Sequence, residues 1–340
     1  MLGLNPEMSV FEILKKIARI SSPSGHEEPL VDYIEYSVSG YNEVLVEPIG
    51  GYSYNVIIGD LSERPKLALV AHLDTIGREG RIKISGDVIE GPGIIDDKAS
   101  VAVLLKLALE GIKEVQIALL SQEETTGMGS YYYLKGFSPK RAIVMEPTRN
   151  VFCTSGAGMI TGEIVAYGEE LHPDLGYKGR NAIETLLEAF SIIKGRLPKG
   201  VHITPLGVSS PDTNEFYTPS VARMTVDINV PPGKMDEALR SLHEAMGEIE
   251  RIDAEFRVTD IAPPFELEDE EFLNIINKIS GETCSFFGRC DANNFSERGI
   301  PSVVFGPGDY ERIHTERERV SKRELEEAYR ILKKIINELV

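Results

Sequence analysis

Cysteine is scarce in this chain, and its three copies, Cys153, Cys284 and Cys290, fall in no CxxC or other paired spacing. Neither a disulfide framework nor a thiolate zinc site is therefore expected, and a reducing compartment fits. Basic residues are also short: 36 Lys and Arg stand against 54 Asp and Glu, a formal charge of −18. Sequence-independent binding to nucleic acid or to an anionic membrane needs a basic footprint, so both are set aside, and the acidity reads as solubility. No apolar run reaches the roughly 18 residues of a membrane span, and the first residues hold no basic segment followed by an apolar one. The expected location is the cytoplasm. Internal repeats, low-complexity tracts and long charge runs are absent as well.

What is present is the make-up of an ordinary soluble globular protein, 42% hydrophobic and 26% charged, in a chain of 340 residues that is long enough for two domains. Helical spacing of Phe11, Ile13, Leu14 and Ile17 ends at Ser-Ser-Pro-Ser-Gly (21–25), and a second helix follows over about 26–38. Strands are expected at 44–48, 54–59 and 66–71, the last apolar enough to be covered on both faces, and a hairpin at 81–89. Helix 98–110, strand 115–120, helix 129–135 and strand 141–145 continue an alternation that means βαβ units and a mostly parallel sheet sandwiched by helices, an α/β fold.

After Glu146 the order changes to strand, helix, strand, strand, helix, strand over 159–261, the split βαβ order of a ferredoxin-like α+β module. We read 154–262 as an inserted domain, bounded by Thr154-Ser155-Gly156-Ala157-Gly158 and Pro263-Pro264, and 1–153 with 263–340 as one discontinuous domain. The latter resumes with helix 269–279, strand 283–287, helix 292–297, strand 301–305 and a final helix 321–338 opened by a Ser321/Glu324 capping box.

Acids and histidines gather at the ends of the apolar runs, where open α/β sheets build their sites. In His72-Leu73-Asp74 the two side chains share one side of a strand, so Asp74 could fix one ring nitrogen of His72 while the other binds metal. Gly91-Pro92-Gly93-Ile94-Ile95-Asp96-Asp97-Lys98 sets two carboxylates at a helix entrance; one suits a plain N-cap, and one could bridge two cations. The adjacent Glu123 and Glu124 suit two roles, a metal ligand and a general base. Glu146, after the next strand, and His314, after Gly306-Pro307-Gly308, complete a set that points to a two-metal hydrolytic centre.

Taken in order, HxD, GxGxxDxK, EE, EP and a late GPG followed by HTxxE resemble the family of acetylornithine deacetylase, succinyl-diaminopimelate desuccinylase and carboxypeptidase G, which are co-catalytic zinc hydrolases. The resemblance implies two Zn(2+) per subunit, possibly replaced by Co(2+) or Mn(2+): one on His72 and Glu146, the other on Glu124 and His314, with Asp96 bridging. It makes Glu123 the general base and Asp74 the residue that orients His72, and it implies a cis peptide after Asp96. It further implies a homodimer paired through the inserted domain, with His172 reaching the partner's site to stabilise an oxyanion, although Pro173-Asp174 replace the small residues usual after that histidine. Where the family often has an arginine this chain has Asn229, so Asn214, Gly306, Gly308, Arg289 and Asn293 become the candidates for holding substrate.

The activity so implied is hydrolysis of an amide on an amino acid. Within the family the chain looks most like hydrolases that release lysine or ornithine from an amino-group carrier protein, with acetylornithine and succinyl-diaminopimelate close behind. A co-catalytic aminopeptidase shares Asp96-Asp97-Lys98 and Gln122-Glu123-Glu124, but such enzymes insert their extra domain between HxD and the bridging aspartate. Here that interval, Asp74 to Asp96, is too short for a domain. A metal-free binding module on the same fold is the reading from another class; Glu123 beside five candidate ligands argues against it.

Overall fold

The computed structural model describes residues 3–77, 80–112, 114–211 and 216–340. The chain forms two compact units, one of Met1–Ser155, Glu266–Phe286 and Cys290–Val340, the other of Gly156–Phe265 with Phe287–Arg289.

The first unit begins with α1 (Val10–Ile17), whose Ser9/Glu12 capping box satisfies its leading amides, and α2 (Glu28–Val38), with proline in its first turn. Strands β1 (Val44–Gly50), β2 (Ser53–Gly59) and β3 (Ala68–His72) follow, then the short pair β4 (Lys83–Ser85) and β5 (Val88–Glu90) where a hairpin is expected. Helix α3 (Ala99–Leu109), β6 (Gln116–Leu120), α4 (Met128–Gly136), β7 (Ala142–Val144) and β8 (Phe152–Gly156) lead to the insertion.

The second unit runs β9 (Gly158–Tyr167), α5 (Ala182–Arg196), β10 (His202–Ser209), β11 (Val221–Val230), α6 (Met235–Ile249) and β12 (Ala254–Ala262). Its sheet is antiparallel in the order β10-β11-β9-β12. In β11 Ala222, Met224, Val226, Ile228 and Val230 are buried and their neighbours are not, the period-two pattern of a sheet with one covered face. Leu186, Ala189 and Ile193 of α5 and Leu242 and Ala245 of α6 belong to the same apolar core.

After the insertion come β13 (Phe265–Glu266), α7 (Glu270–Ser280), β14 (Thr283–Phe286), α8 (Asp291–Glu297), β15 (Ser302–Val304), β16 (Arg319–Ser321) and α9 (Lys322–Leu339). The central sheet has the order β1-β2-β6-β3-β7-β15-β8-β13, with β14 also on β8. Four strands, β6, β3, β7 and β15, are parallel, while β2 joins one side and β8 the other in antiparallel fashion. These four are buried along their whole length, which is why they read as unbroken apolar runs. Helix α3 is apolar on nearly every side because it lies between the sheet and other helices, α1 and α9 among them.

Register places the chemistry. His72 pairs with Leu120 at the last rung of β3 and β6, Val70 pairs with Val144 at the end of β7, and Val144 pairs with Val304 at the end of β15. The segments that follow, Leu73–Asp74, Gln122–Glu124, Glu146 and Gly306–Gly308, therefore leave the sheet along one edge.

One expectation is corrected. Cys153 and Cys284 form a disulfide, with Cα atoms 4.2 Å apart across 131 residues. They lie on β8 and β14, which are neighbouring strands, so the pairing comes from sheet topology and leaves no trace in local spacing. Cys290 is a buried free thiol.

Candidate metal centre

Asp96 stands between the two histidines. Its Oδ1 lies 3.0 Å from His72 Nε2, and its Oδ2 lies 3.1 Å from His314 Nε2, which is also 3.0 Å from Glu124 Oε2. Ligand atoms of His72, Glu123 and Glu146 fall within 4.8 Å of one another, as do those of His72, Asp96 and Glu124. His72 belongs to both groups, so the six residues make one continuous cluster rather than two separate sites.

Each donor is held from behind. His72 Nδ1 is 2.9 Å from the Asp74 carbonyl oxygen and 3.5 Å from its carboxylate. That carboxylate also accepts from the Glu123 amide at 3.0 Å and the Glu124 amide at 3.1 Å. Asp74 thus faces the histidine with both its carbonyl and its carboxylate, and the carboxylate also fixes the Glu-Glu turn. The Asp96-Asp97 peptide is cis, as the resemblance implies. Asp97 is not a cap: α3 is preceded by Lys98 without a side-chain cap, and Asp97 Oδ2 accepts from the His72 amide at 3.3 Å. Lys98, buried and pushed down to about 8 by that burial, donates to the Ile20 carbonyl at 2.6 Å.

The charges do not balance among themselves. Burial pushes Glu123 and Glu146 well above the ordinary carboxylate range, and neighbouring acids add to the effect. Burial opposes charge on Asp96 too, but hydrogen bonds to His314 and His72 hold it below its usual value. His314 in turn is raised to about 10 by Asp96 and Glu124. Glu124 Oε1 is buried with no hydrogen-bond partner among the described residues. Six acids, Asp74, Asp96, Asp97, Glu123, Glu124 and Glu146, surround two histidines, and cations between them would offset the cost of gathering so many carboxylates. Nitrogen and oxygen donors of this kind fit divalent ions such as zinc, so the residues present suit a pair of metals.

The remaining candidates are dispersed. His172 belongs to the second unit, with its side chain exposed and its Nδ1 accepting from the Asp174 amide at 3.3 Å. Arg289, grouped with that unit, is paired with Asp260. Asn293 is buried and accepts from the Cys290 amide at 2.9 Å at the start of α8. The Gly306 amide donates to Thr148 Oγ1 at 3.0 Å, and a side chain at 306 would strike the Glu146 carbonyl oxygen. Gly308, at φ +100°, lies against Ile95. Both glycines let one loop close onto the segments that carry Glu146 and Asp96. Asn214 lies outside the described residues.

Two buried acids that accept from amides next to the cluster's donors escaped sequence reasoning. Glu318 accepts from the Ile95 amide at 3.2 Å, just ahead of Asp96, and burial raises it to about 7. Glu27 accepts from the Gln122 amide at 3.2 Å, just ahead of Glu123. Glu318 closes the HTxxE motif and could have been singled out there; Glu27 follows a Pro-Ser-Gly stretch that reads only as a helix break.

The sequence is similar to a Pyrococcus abyssi protein assigned the name LysW-lysine/LysW-ornithine hydrolase, 27% identical over 98% of this chain and 95% of the relative. A tripeptidase from Staphylococcus aureus superposes with a TM-score of 0.78 at 18% identity, covering 98% of each chain. A dinuclear metal-binding peptidase of the M20 family from Bacillus subtilis does so at 0.69 and 17%, covering 96% of each. The sequence profile of Peptidase family M20/M25/M40 matches residues 68–338, from the first strand of the parallel core to the last helix, and the chain belongs to that family.

Proposed function

We propose that this metal-dependent hydrolase cleaves an amide bond that blocks the amino group of lysine or ornithine, as part of amino-acid biosynthesis. A carrier protein of the LysW kind is the acyl partner we favour; small N-acyl substrates such as acetylornithine or succinyl-diaminopimelate belong to the same chemistry. One observation carries the reading: the two carboxylate oxygens of Asp96 face different histidines, at 3.0 and 3.1 Å. A bridging carboxylate does this when it serves two cations.

In this reading His72 and Glu146 would hold one zinc, Glu124 and His314 would hold the other, and Asp96 would serve both. Such a pair supplies Lewis-acid activation of water and of the scissile carbonyl. Glu123 takes the proton from the attacking water and returns it to the leaving nitrogen. Asp74 keeps Glu123 and Glu124 in place through their amides. The second unit pairs two subunits, and His172 of one supplies an oxyanion donor to the centre of the other. Asn214, Arg289, Asn293, Gly306 and Gly308 remain the candidates for gripping substrate.

The test is a hydrolysis screen of the purified protein over N-acetyl, N-succinyl and γ-glutamyl derivatives of ornithine, lysine and diaminopimelate, with peptides as controls and metal content measured in parallel. Release of lysine or ornithine, lost in Asp96→Ala together with bound metal, is the expected result. Failure to cleave any blocked amino acid, or full activity in Asp96→Ala, overturns the proposal. His172→Ala should keep its metal and slow turnover by more than about tenfold.

A further inference from the structure

The turn that carries Glu123 is gripped from a segment far away in sequence. Glu27 is fully buried (0% exposed), immediately before α2. Its Oε1 accepts from the Gly25 amide at 2.9 Å and from the Gln122 amide at 3.2 Å, and its Oε2 accepts from Ser53 Oγ at 2.6 Å. Ser53 Oγ also accepts from Gln122 Nε2 at 2.8 Å. A second contact ties the same two segments, Ser24 Oγ to Thr125 Oγ1 at 2.7 Å. No basic side chain is ion-paired with Glu27 among the described residues, so neutral N–H and O–H donors alone satisfy this buried acid.

What these donors hold is an unfavourable backbone. Gln122 has φ +61°, a left-handed conformation that a residue with a side chain adopts only when its surroundings impose it. The Gln122 carbonyl then accepts from the Thr126 and Gly127 amides at 3.1 and 2.7 Å, which closes the turn. Asp74 pins the next two amides in the turn. If Gln122 relaxed to an ordinary φ, Glu123 would leave the side of the strand on which His72 and Glu146 meet it.

We infer that Glu27 is a positioning residue for the general base. It holds Gln122 in the left-handed conformation that aims Glu123 at the centre, and being sealed from solvent it touches no substrate. This inference rests on the role proposed for Glu123. The family comparison and the metal-ligand motifs assign Glu27 nothing.

The experiment compares wild type, Glu27→Ala, Glu27→Gln and Ser53→Ala as full-length, metal-loaded proteins, with kcat expressed per metal-loaded site. Glu27→Ala should lower kcat by about tenfold or more with KM within about twofold, since misplacing a catalytic group slows the chemical step without loosening substrate. Glu27→Gln keeps one carbonyl oxygen for the two amides and should restore kcat to within about threefold. Ser53→Ala, which removes one donor and leaves Glu27 in place, should show a smaller loss of the same kind and decides the matter if Glu27→Ala does not fold. Amide hydrogen exchange supplies a readout independent of turnover: Gln122, Glu123 and Glu124 should exchange about tenfold faster in Glu27→Ala than in wild type. Unchanged kcat and unchanged exchange at these amides would overturn the inference. Faster exchange in a protein whose Glu123→Gln variant is fully active would keep the grip of Glu27 on the turn and remove the base from Glu123 instead.

Discussion

The two units treat charge in opposite ways. Among the described residues the first buries Glu27, His72, Asp74, Asp96, Asp97, Lys98, Glu146, Asp291 and Glu318, whereas in the second Thr185 is the one buried polar residue. The ion pairs of the second unit are at its surface, for example Arg223 with Glu163 at 2.9 Å and Lys234 with Glu237 at 2.6 Å. Burying a charge costs several kcal/mol unless partners meet it, so a chain keeps such groups where they perform a task. The first unit gives up packing stability to hold a cluster of acids; the second is folded by alternating apolar strands and two apolar helix faces. Activity and stability should therefore respond to mutation in different units.

The largest effect expected from that contrast is in the first unit. Glu123→Gln should lower kcat by about 10²–10⁴-fold while metal content and melting temperature stay close to wild type, as steady-state kinetics, metal analysis and calorimetry would show. A matching fall in stability would mean that Glu123 is structural and would erase the contrast. Next comes the reverse case: Ile164→Ala, in the core of the second unit, should cost about 2–5 kcal/mol in denaturant unfolding and leave metal content intact. Loss of metal in that variant would show that the two units do not behave separately.

A charge at the edge of the first unit should fall between these extremes. Asp269 caps α7 by accepting from the Phe272 amide at 2.9 Å and pairs with Arg141 at 2.7 Å. Partial burial pushes its carboxyl up, but Arg141 and the amide outweigh this and hold it below the ordinary range. A lowered value means that its stabilisation is full above about pH 4 and fades as pH falls below that. Asp269→Asn should thus cost about 1 kcal/mol at neutral pH, and urea melts should show the difference from wild type shrinking as pH falls below about 4. A pH-independent difference would place the effect in packing. Smallest of all, Lys234→Ala should move stability by no more than about 0.5 kcal/mol, because an exposed pair between the residue before α6 and its first turn contributes little.

Legibility followed the same division. In the second unit nearly everything that matters is local: the period-two burial of β11 and the apolar stripes of α5 and α6 can be read off the chain, and so can their order. In the first unit the donors were visible because each follows an apolar run, yet their supports were not. One of Asp96 and Asp97 reads as a helix cap, since an acid before an apolar helix usually is one, but Asp97 accepts from the His72 amide and Asp96 lies between two histidines. Asp74 reads as serving His72 with its side chain; the carboxylate lies 3.5 Å from the ring and also accepts from two amides at the end of another strand, a second task that local spacing does not reveal. Cys153 and Cys284 looked unpaired because their spacing follows no motif.

By itself the sequence determined the α/β class, the alternation of strands and helices, the cap at Ser321, and the order in which His72, Asp96, Glu124 and His314 occur, since propensity, periodicity and capping act over a few neighbouring residues. Only the tertiary structure decided that Asp96 turns one oxygen to each histidine, that Glu27 reaches the Gln122 amide, and that two cysteines 131 residues apart are bonded. Those contacts depend on which strands lie side by side and on the rung at which each one ends, and that is settled by burial across the whole sheet.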